Sequence, residues 1–304
     1  MYYEDETVLD WRINHNLRLN SLLKNGSQNF YKKLNHTRYD FLEIDEQLLP
    51  KFSAPILTEV TIEDNDETAL MTVLSVAKQR ASPNVFIKGD VGKGKTVSLL
   101  HTWKTILANK EQTQPKPIFI ALSEYNTSEH KKDFIIHYII TNYLGKSRPN
   151  NDDINAIWEL LKMPYQNMPF VPAVILFLDG MDEITDDSTG LIQEIKNICE
   201  TSKGTQIVIT SRIDYGFTWL NPFLKCNIQN LNEIQITTHL EEASLVVEED
   251  SSLFNFLKTP MLLTLYSASS SLSKKYKEDT RLEFKTNINS YSELVWNFTE
   301  SIIA

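Results

Sequence analysis

Only two cysteines, Cys199 and Cys226, occur in the 304 residues, so a scaffold built on disulfides is excluded and a reducing compartment, the cytoplasm, is the natural setting. With six histidines they make no zinc-binding spacing. Long hydrophobic runs are lacking as well. The longest, Phe170 to Leu178, is about half of the ~20 residues that a membrane span needs. The N-terminus, Met1-Tyr2-Tyr3-Glu4-Asp5-Glu6, has neither the positive start nor the apolar stretch of a secretory signal. Nothing here is expected to cross or bind a membrane. Positive charge is in deficit: 30 Lys and Arg stand against 40 Asp and Glu, for a net charge of −10, which argues against broad electrostatic attachment to nucleic acid or anionic lipid. No Gly-x-Ser-x-Gly elbow and no internal repeat occur.

What is present describes a globular chain. Apolar residues make up 41% and charged residues 23%, and the length allows about two domains. Residues 1–60 form an N-terminal segment of unknown role with mixed helical patterning, in which Trp11, Leu17, Leu22, Leu23, Phe30 and Leu34 are the expected anchors, followed by the breakers Pro50 and Pro55. Residues 61–225 alternate strand and helix signals. A helix is predicted over Glu67 to Arg80, with Ala69, Leu70, Val73, Leu74 and Ala77 on one stripe. Strand-like runs follow at Asn84 to Lys88, Pro117 to Leu122, Ala173 to Leu178 and Thr205 to Thr210, separated by helical stretches at 129–144, 152–162 and 189–202. Alternation of this kind predicts an α/β fold, and continuous apolar strands predict a parallel sheet sandwiched by helices. Strand signals stop after about Asn221. Residues 226–304 then read as a small all-α helical domain with segments at 232–242, 251–269 and 289–303. The last helix meets no stop signal before Ala304, and a longer parent chain is expected.

The most specific motif is Gly89-Asp90-Val91-Gly92-Lys93-Gly94-Lys95-Thr96, a complete Walker A loop set between a strand and a helix. Its glycines let consecutive backbone N–H groups face a phosphate, and the opening helix adds its positive end. Lys95 is expected to bridge the β- and γ-phosphates, and the Thr96 hydroxyl to ligate Mg²⁺. A second motif follows the strand Val174 to Leu178: Asp179-Gly180-Met181-Asp182-Glu183, a Walker B sequence at the carboxyl end of a strand, where open parallel sheets place their ligands. Asp179 is expected to share the metal with Thr96, and Gly180 to leave room beside it. Glu183, with Asp182 as a second candidate, would orient or deprotonate the attacking water. The strand Gln206 to Thr210 ends in Ser211-Arg212, whose guanidinium would sense the γ-phosphate.

With these pieces in order, the chain resembles the NACHT family of signal-transducing (STAND-class) P-loop NTPases, a group that includes animal inflammasome-type sensors and bacterial antiviral relatives. Leu178 to Glu183 is similar to that family's Walker B strand, Pro117 to Glu124 to its second strand, and Ile209 to Arg212 to its sensor strand. Thr259-Pro260-Met261-Leu262-Leu263-Thr264-Leu265 looks like the helical-domain motif whose proline, here Pro260, packs by the nucleotide base. Tyr291 to Ile303 is similar to the helix that precedes a winged helix. Ile213 stands where the family often has proline. The family's winged-helix and sensor regions, with a histidine that locks the diphosphate, have no counterpart in these residues.

The resemblance implies a slow, Mg²⁺-dependent ATPase acting as a signalling switch in innate or antiviral defence. Such a switch is ADP-bound at rest and forms a homo-oligomer when ATP-bound. The alternatives are a conventional P-loop ATPase that couples turnover to mechanical or loading work, and a scaffold that nucleotide only stabilises.

Overall fold

The computed structural model describes residues 25–27, 30, 58–62, 67–80, 82–108, 115–126, 132–162, 172–184, 187–215, 217–247, 251–267 and 292–293. The anchors Trp11, Leu17, Leu22, Leu23 and Leu34, and most of the helix expected at 289–303, lie outside them.

The chain runs β1 (Val60–Ile62), β2 (Glu67–Thr68), α1 (Leu70–Ala77), β3 (Val85–Lys88), α2 (Lys95–Ala108), β4 (Lys116–Ala121), α3 (Phe134–Tyr138), α4 (Asn151–Lys162), β5 (Val174–Asp179), α5 (Thr189–Thr201), β6 (Thr205–Ser211), β7 (Leu224–Ile228), α6 (Glu233–Glu242) and α7 (Ser252–Leu257). A π-helical turn, Ile139–Tyr143, continues α3, and a further helix covers 260–267. One seven-stranded sheet has the order β2-β1-β7-β3-β6-β5-β4. The five strands from β7 to β4 are parallel, and β1 joins β7 and β2 antiparallel. The fold is α/β, with a mostly parallel sheet flanked by helices and a small helical unit after it.

Residue choice accounts for the layering. Every residue of β5 and β6 is buried, as expected of β-branched and aliphatic runs with helices on both faces. On α1 the stripe Leu70, Val73, Leu74 and Ala77 turns inward, and on α2 Leu99, Leu100, Trp103 and Ile106 do so. One apolar core runs from Phe30 to Ile228. A second one gathers Leu231, Ile236, Leu240, Leu253, Phe254, Leu257, Leu262, Leu263 and Tyr266.

Two expectations are corrected. Strand signals do not stop at Asn221: β7 inserts between β1 and β3. Its Leu-Lys-Cys-Asn-Ile sequence alternates buried and exposed side chains, so it offers no continuous apolar run, only the period of two of a strand open on one face. The helix expected from Glu67 begins at Leu70, because Glu67 and Thr68 pair with β1 and Ala69 is extended.

The far edge strand, β4, is sealed by side chains. The Tyr143 hydroxyl donates to the Phe119 carbonyl at 2.8 Å and accepts from the Phe119 N–H at 2.7 Å, doing the work of a neighbouring strand. Ser27 Oγ and Trp103 Nε1 both donate to the Pro117 carbonyl, at 3.1 and 3.0 Å. Phe30 stacks on Tyr143 with ring centroids 4.8 Å apart. Part of the N-terminal segment is thus packed against the sheet.

Glu194 on α5 reaches the start of α3, where Oε2 accepts from the Ile135 N–H at 3.2 Å and Oε1 from the Ile136 N–H at 3.3 Å. Burial pushes its carboxyl up to about 8 against these hydrogen bonds, from an ordinary 4.5. Between those two pH values the folded state keeps a proton that the unfolded state releases, so the stabilisation is complete below pH 4.5 and is lost as pH rises through about 8. Thermal melts at a series of pH values should show wild-type stability falling across this window relative to Glu194→Gln, which carries no such proton. Parallel pH profiles of the two proteins would contradict the assignment.

Candidate functional site

Three parallel strands deliver the site to one end of the sheet. The central strand β3 leads into the loop 89–94, and α2 opens at Lys95. The loop is held down at both ends, Gly89 N–H donating to the Ser211 carbonyl at 3.2 Å and Ser98 N–H to the Gly94 carbonyl at 2.8 Å. From the β1 side the buried Thr58 donates to the Lys93 carbonyl at 3.1 Å and lies 3.4 Å from Ser98 Oγ. Sequence reading missed Thr58, which carries no motif and sits in the segment set apart as unassigned. Asp90 pairs with Lys93 at 3.3 Å on the surface, and Val91 is exposed.

At Gly89 a side chain is excluded by contact: an added Cβ would lie 2.1 Å from Cγ2 of Ile228, at the end of β7. Overpacking of this kind costs about 1–3 kcal/mol. Gly89→Ala is therefore expected to destabilise the protein in urea denaturation, and to cost less in an Ile228→Ala background. Equal cost in both backgrounds would mean that the contact is not the constraint.

Lys95 turns back over the loop, its ammonium donating to the Gly89 carbonyl at 2.5 Å and to the Asp90 carbonyl at 2.9 Å. Burial lowers its pKa, opposed by the negative charges of Asp182 and Asp179. At the next residue the two nucleotide motifs meet: Thr96 Oγ1 donates to Asp179 Oδ2 at 2.7 Å. The other carboxylate oxygen, Oδ1, accepts from Thr210 Oγ1 at 2.6 Å, and that hydroxyl in turn accepts from the Gly180 N–H at 2.9 Å. Thr210 was not singled out from the sequence, although a polar residue directly after the apolar run Ile207-Val208-Ile209 is the available signal. Asp179 is 7% exposed. Burial raises its pKa, the hydrogen bonds from Thr210 and Thr96 work against that, and the charge of Glu183 raises it further.

A buried carboxylate held by two hydroxyls, beside a loop whose lysine is already partly desolvated, is a donor set suited to a hard divalent cation and a phosphate chain. Thr96 and Asp179 would hold the metal, and the loop 89–96 the phosphates. Among the described residues there is no cluster of three or more His, Cys, Asp or Glu of the kind that makes an all-protein metal cage.

Beyond Asp179 the chain bends through Gly180, whose φ of +77° is left-handed, into the turn Met181–Glu183. An added Cβ at Gly180 would come within 3.0 Å of the Glu183 carboxyl carbon, so the room that this glycine leaves is filled by Glu183. Glu183 itself is exposed. Asp182 is tied to Arg212: Oδ1 accepts from the Arg212 N–H at 2.7 Å, and Oδ2 from Arg212 Nε. Burial alone would raise Asp182, but these bonds and the arginine charge outweigh it and hold the carboxyl below its ordinary range. Arg212, expected to reach toward a γ-phosphate, rests on this carboxylate.

The helical unit closes on the loop from above. The Met261 N–H donates to the Gly92 carbonyl at 3.2 Å. A Cβ added at Gly94 would lie 3.8 Å from Pro260 Cγ, which places Pro260 against the loop. At Gly92, where φ is +78°, a Cβ would crowd Met261 and Thr259 at 3.1 and 3.2 Å. Among the described residues no helix is long and apolar enough to cross a membrane.

No family model matches this chain, and no curated protein does. Several solved structures are similar to it. Domain III of the replication initiation protein DnaA from Thermotoga maritima is 20% identical, with a TM-score of 0.43 over 77% of this chain and 91% of that one. The Aeropyrum pernix ORC1 protein, solved in complex with DNA, is 15% identical, with a TM-score of 0.46 over 84% of this chain and 69% of that one. A Pyrococcus horikoshii signal transduction ATPase with numerous domains, bearing a tetratricopeptide repeat sensor, is 16% identical, with a TM-score of 0.38 over 82% of this chain and 34% of that one. The chain thus spans about a third of the length of that last protein.

Proposed function

We propose that the chain is a P-loop nucleoside triphosphatase of the NACHT-like switch type, holding ADP at rest and assembling with copies of itself when ATP is bound. The observation that carries the nucleotide reading is the 2.7 Å bond from Thr96 to the buried Asp179, which joins the Walker A helix to the Walker B strand.

On this reading Gly89, Asp90, Val91, Gly92, Lys93, Gly94, Lys95 and Thr96 bind the phosphates, and Thr96 and Asp179 hold Mg²⁺. Bound magnesium triphosphate would supply the γ-phosphoryl group that is transferred to water. Glu183 orients that water and takes its proton, Lys95 neutralises phosphate charge, and Arg212 responds to the terminal phosphate. Pro260 and Met261, seated on the loop, give the helical unit a direct means of following occupancy. A near-complete population swing needs about 5.5 kcal/mol of differential binding. Charge-assisted hydrogen bonds contribute roughly 1.5–3 kcal/mol each, so three near the middle of that range, or two at its top, reach this figure.

The test is the identity and stoichiometry of nucleotide released when the purified protein is denatured, followed by sizing with ADP and with a slowly hydrolysed ATP analogue. Near-stoichiometric ADP and a larger species with the analogue are expected. Rapid exchange with no change of size would favour a conventional ATPase, and no binding at all would remove the nucleotide reading.

A further inference from the structure

The end of β5 and the turn after it carry the acidic side chains Asp179, Asp182 and Glu183, and they are not equivalent. Asp179 faces Thr96. Glu183 lies over Gly180 and is exposed. Asp182 differs from both, because each of its oxygens accepts from Arg212, one from the main-chain N–H and one from Nε. Its side chain is 3% exposed, whereas that of Arg212 is 46% exposed. The anion is fixed and the cation reaches solvent. The same two loops are joined a second time, where the Tyr215 hydroxyl donates to the Met181 carbonyl at 3.3 Å. Their roots are linked as well, through Thr210 to Gly180 and Asp179.

A general base must be reached by water, and the Asp182 side chain is almost wholly covered, with each oxygen already accepting from Arg212. A guanidinium held through Nε, by contrast, keeps its two terminal nitrogens for another acceptor. We propose that Asp182 is a positioning residue: it holds Arg212 at the mouth of the site and so sets the preference for nucleoside triphosphate over diphosphate. This rests on the nucleotide-binding reading above. Fixing the backbone and Nε of Arg212 beforehand removes rotamer entropy that the arginine would otherwise lose on meeting a terminal phosphate. Carboxylate and phosphate then share one guanidinium.

The experiment is a double-mutant cycle read by calorimetric affinities for ADP and a slowly hydrolysed ATP analogue, both with Mg²⁺, in wild type, Asp182→Asn, Arg212→Ala and the double variant. Asp182→Asn should lower triphosphate affinity about tenfold more than diphosphate affinity. Arg212→Ala should abolish the preference, and the double variant should match Arg212→Ala alone. Asp182→Glu, which keeps the charge but lengthens the arm, should fall between wild type and Asp182→Asn, and it serves where the asparagine variant folds poorly. An effect of Asp182→Asn that persists undiminished in the Arg212→Ala background, or a preference unmoved by either Asp182 variant, would overturn the proposal alone. Failure of the wild type to bind either nucleotide would overturn the parent reading, and this one with it.

Discussion

Replacing Lys95 by alanine should weaken binding of both ADP and ATP by roughly 10²–10⁴-fold while leaving the fold in place. In the structure the ammonium is satisfied by two neutral acceptors, the Gly89 and Asp90 carbonyls, and burial lowers its pKa despite the charges of Asp182 and Asp179 nearby. The cation is therefore held where its charge is incompletely compensated, and phosphate oxygens would compensate it better than carbonyls do. Two charge-assisted hydrogen bonds at roughly 1.5–3 kcal/mol each account for the loss expected on truncation. The carbonyls released by the mutation lie on a surface loop and can turn to water, so the melting temperature should move little. Calorimetry gives the affinity, and a thermal melt without nucleotide separates lost binding from lost folding. A variant that binds as the wild type does would mean that the loop does not cradle phosphate.

How far the sequence carried depended on where each element sits in the sheet. The inner strands β5 and β6 are buried along their whole length. The apolar run of one and the Ile-Val-Ile centre of the other declare them, and the Walker B residues and Arg212 follow at their ends. β7 is just as integral, yet Lys225 and Asn227 face out, and its short alternating pattern looks like the loops around it. β1 and β2 are still shorter, three and two residues. They are strands because Val60 and Thr61 find partners in Ile228 and Asn227 on one side and in Thr68 and Glu67 on the other. Such pairing is tertiary information that local propensity does not contain.

The site shows the same division. Thr96 and Asp179 were legible because their motifs prescribe them. Thr210 and Thr58 act by hydrogen bonds across 31 and 35 residues of sequence, and a threonine within or just before a strand is ordinary until its neighbour is known. Arg212 was legible as a residue but not as a contact. Its bond to Asp182 depends on two strand ends lying side by side, and that changes the reading of Asp182 from a candidate base to a partner of the arginine.

That reassignment leaves Glu183 as the carboxylate through which turnover is expected to run, and Glu183→Gln should slow hydrolysis by about 10²–10⁴-fold, the range of general acid–base catalysis. Three acids end β5, but Asp179 is buried under Thr96 and Thr210, and Asp182 gives both oxygens to Arg212. Glu183 alone of the three is exposed, and the left-handed Gly180 brings its carboxyl back over the end of the strand. Glutamine keeps that shape and one acceptor oxygen but cannot take a proton, so ATP affinity should stay within a few-fold of wild type while single-turnover hydrolysis falls. The two effects separate in one preparation, by calorimetry with a slowly hydrolysed analogue and by quenched single-turnover assays. A glutamine variant that hydrolyses ATP at the wild-type rate would take Glu183 out of the chemistry. One that fails to bind ATP would show that its charge, like those of Asp179 and Asp182, organises the site. If the triphosphate state is the assembling one, slowing its consumption should also prolong the larger species in sizing experiments. The same substitution then tests whether hydrolysis is the step that returns the protein to rest.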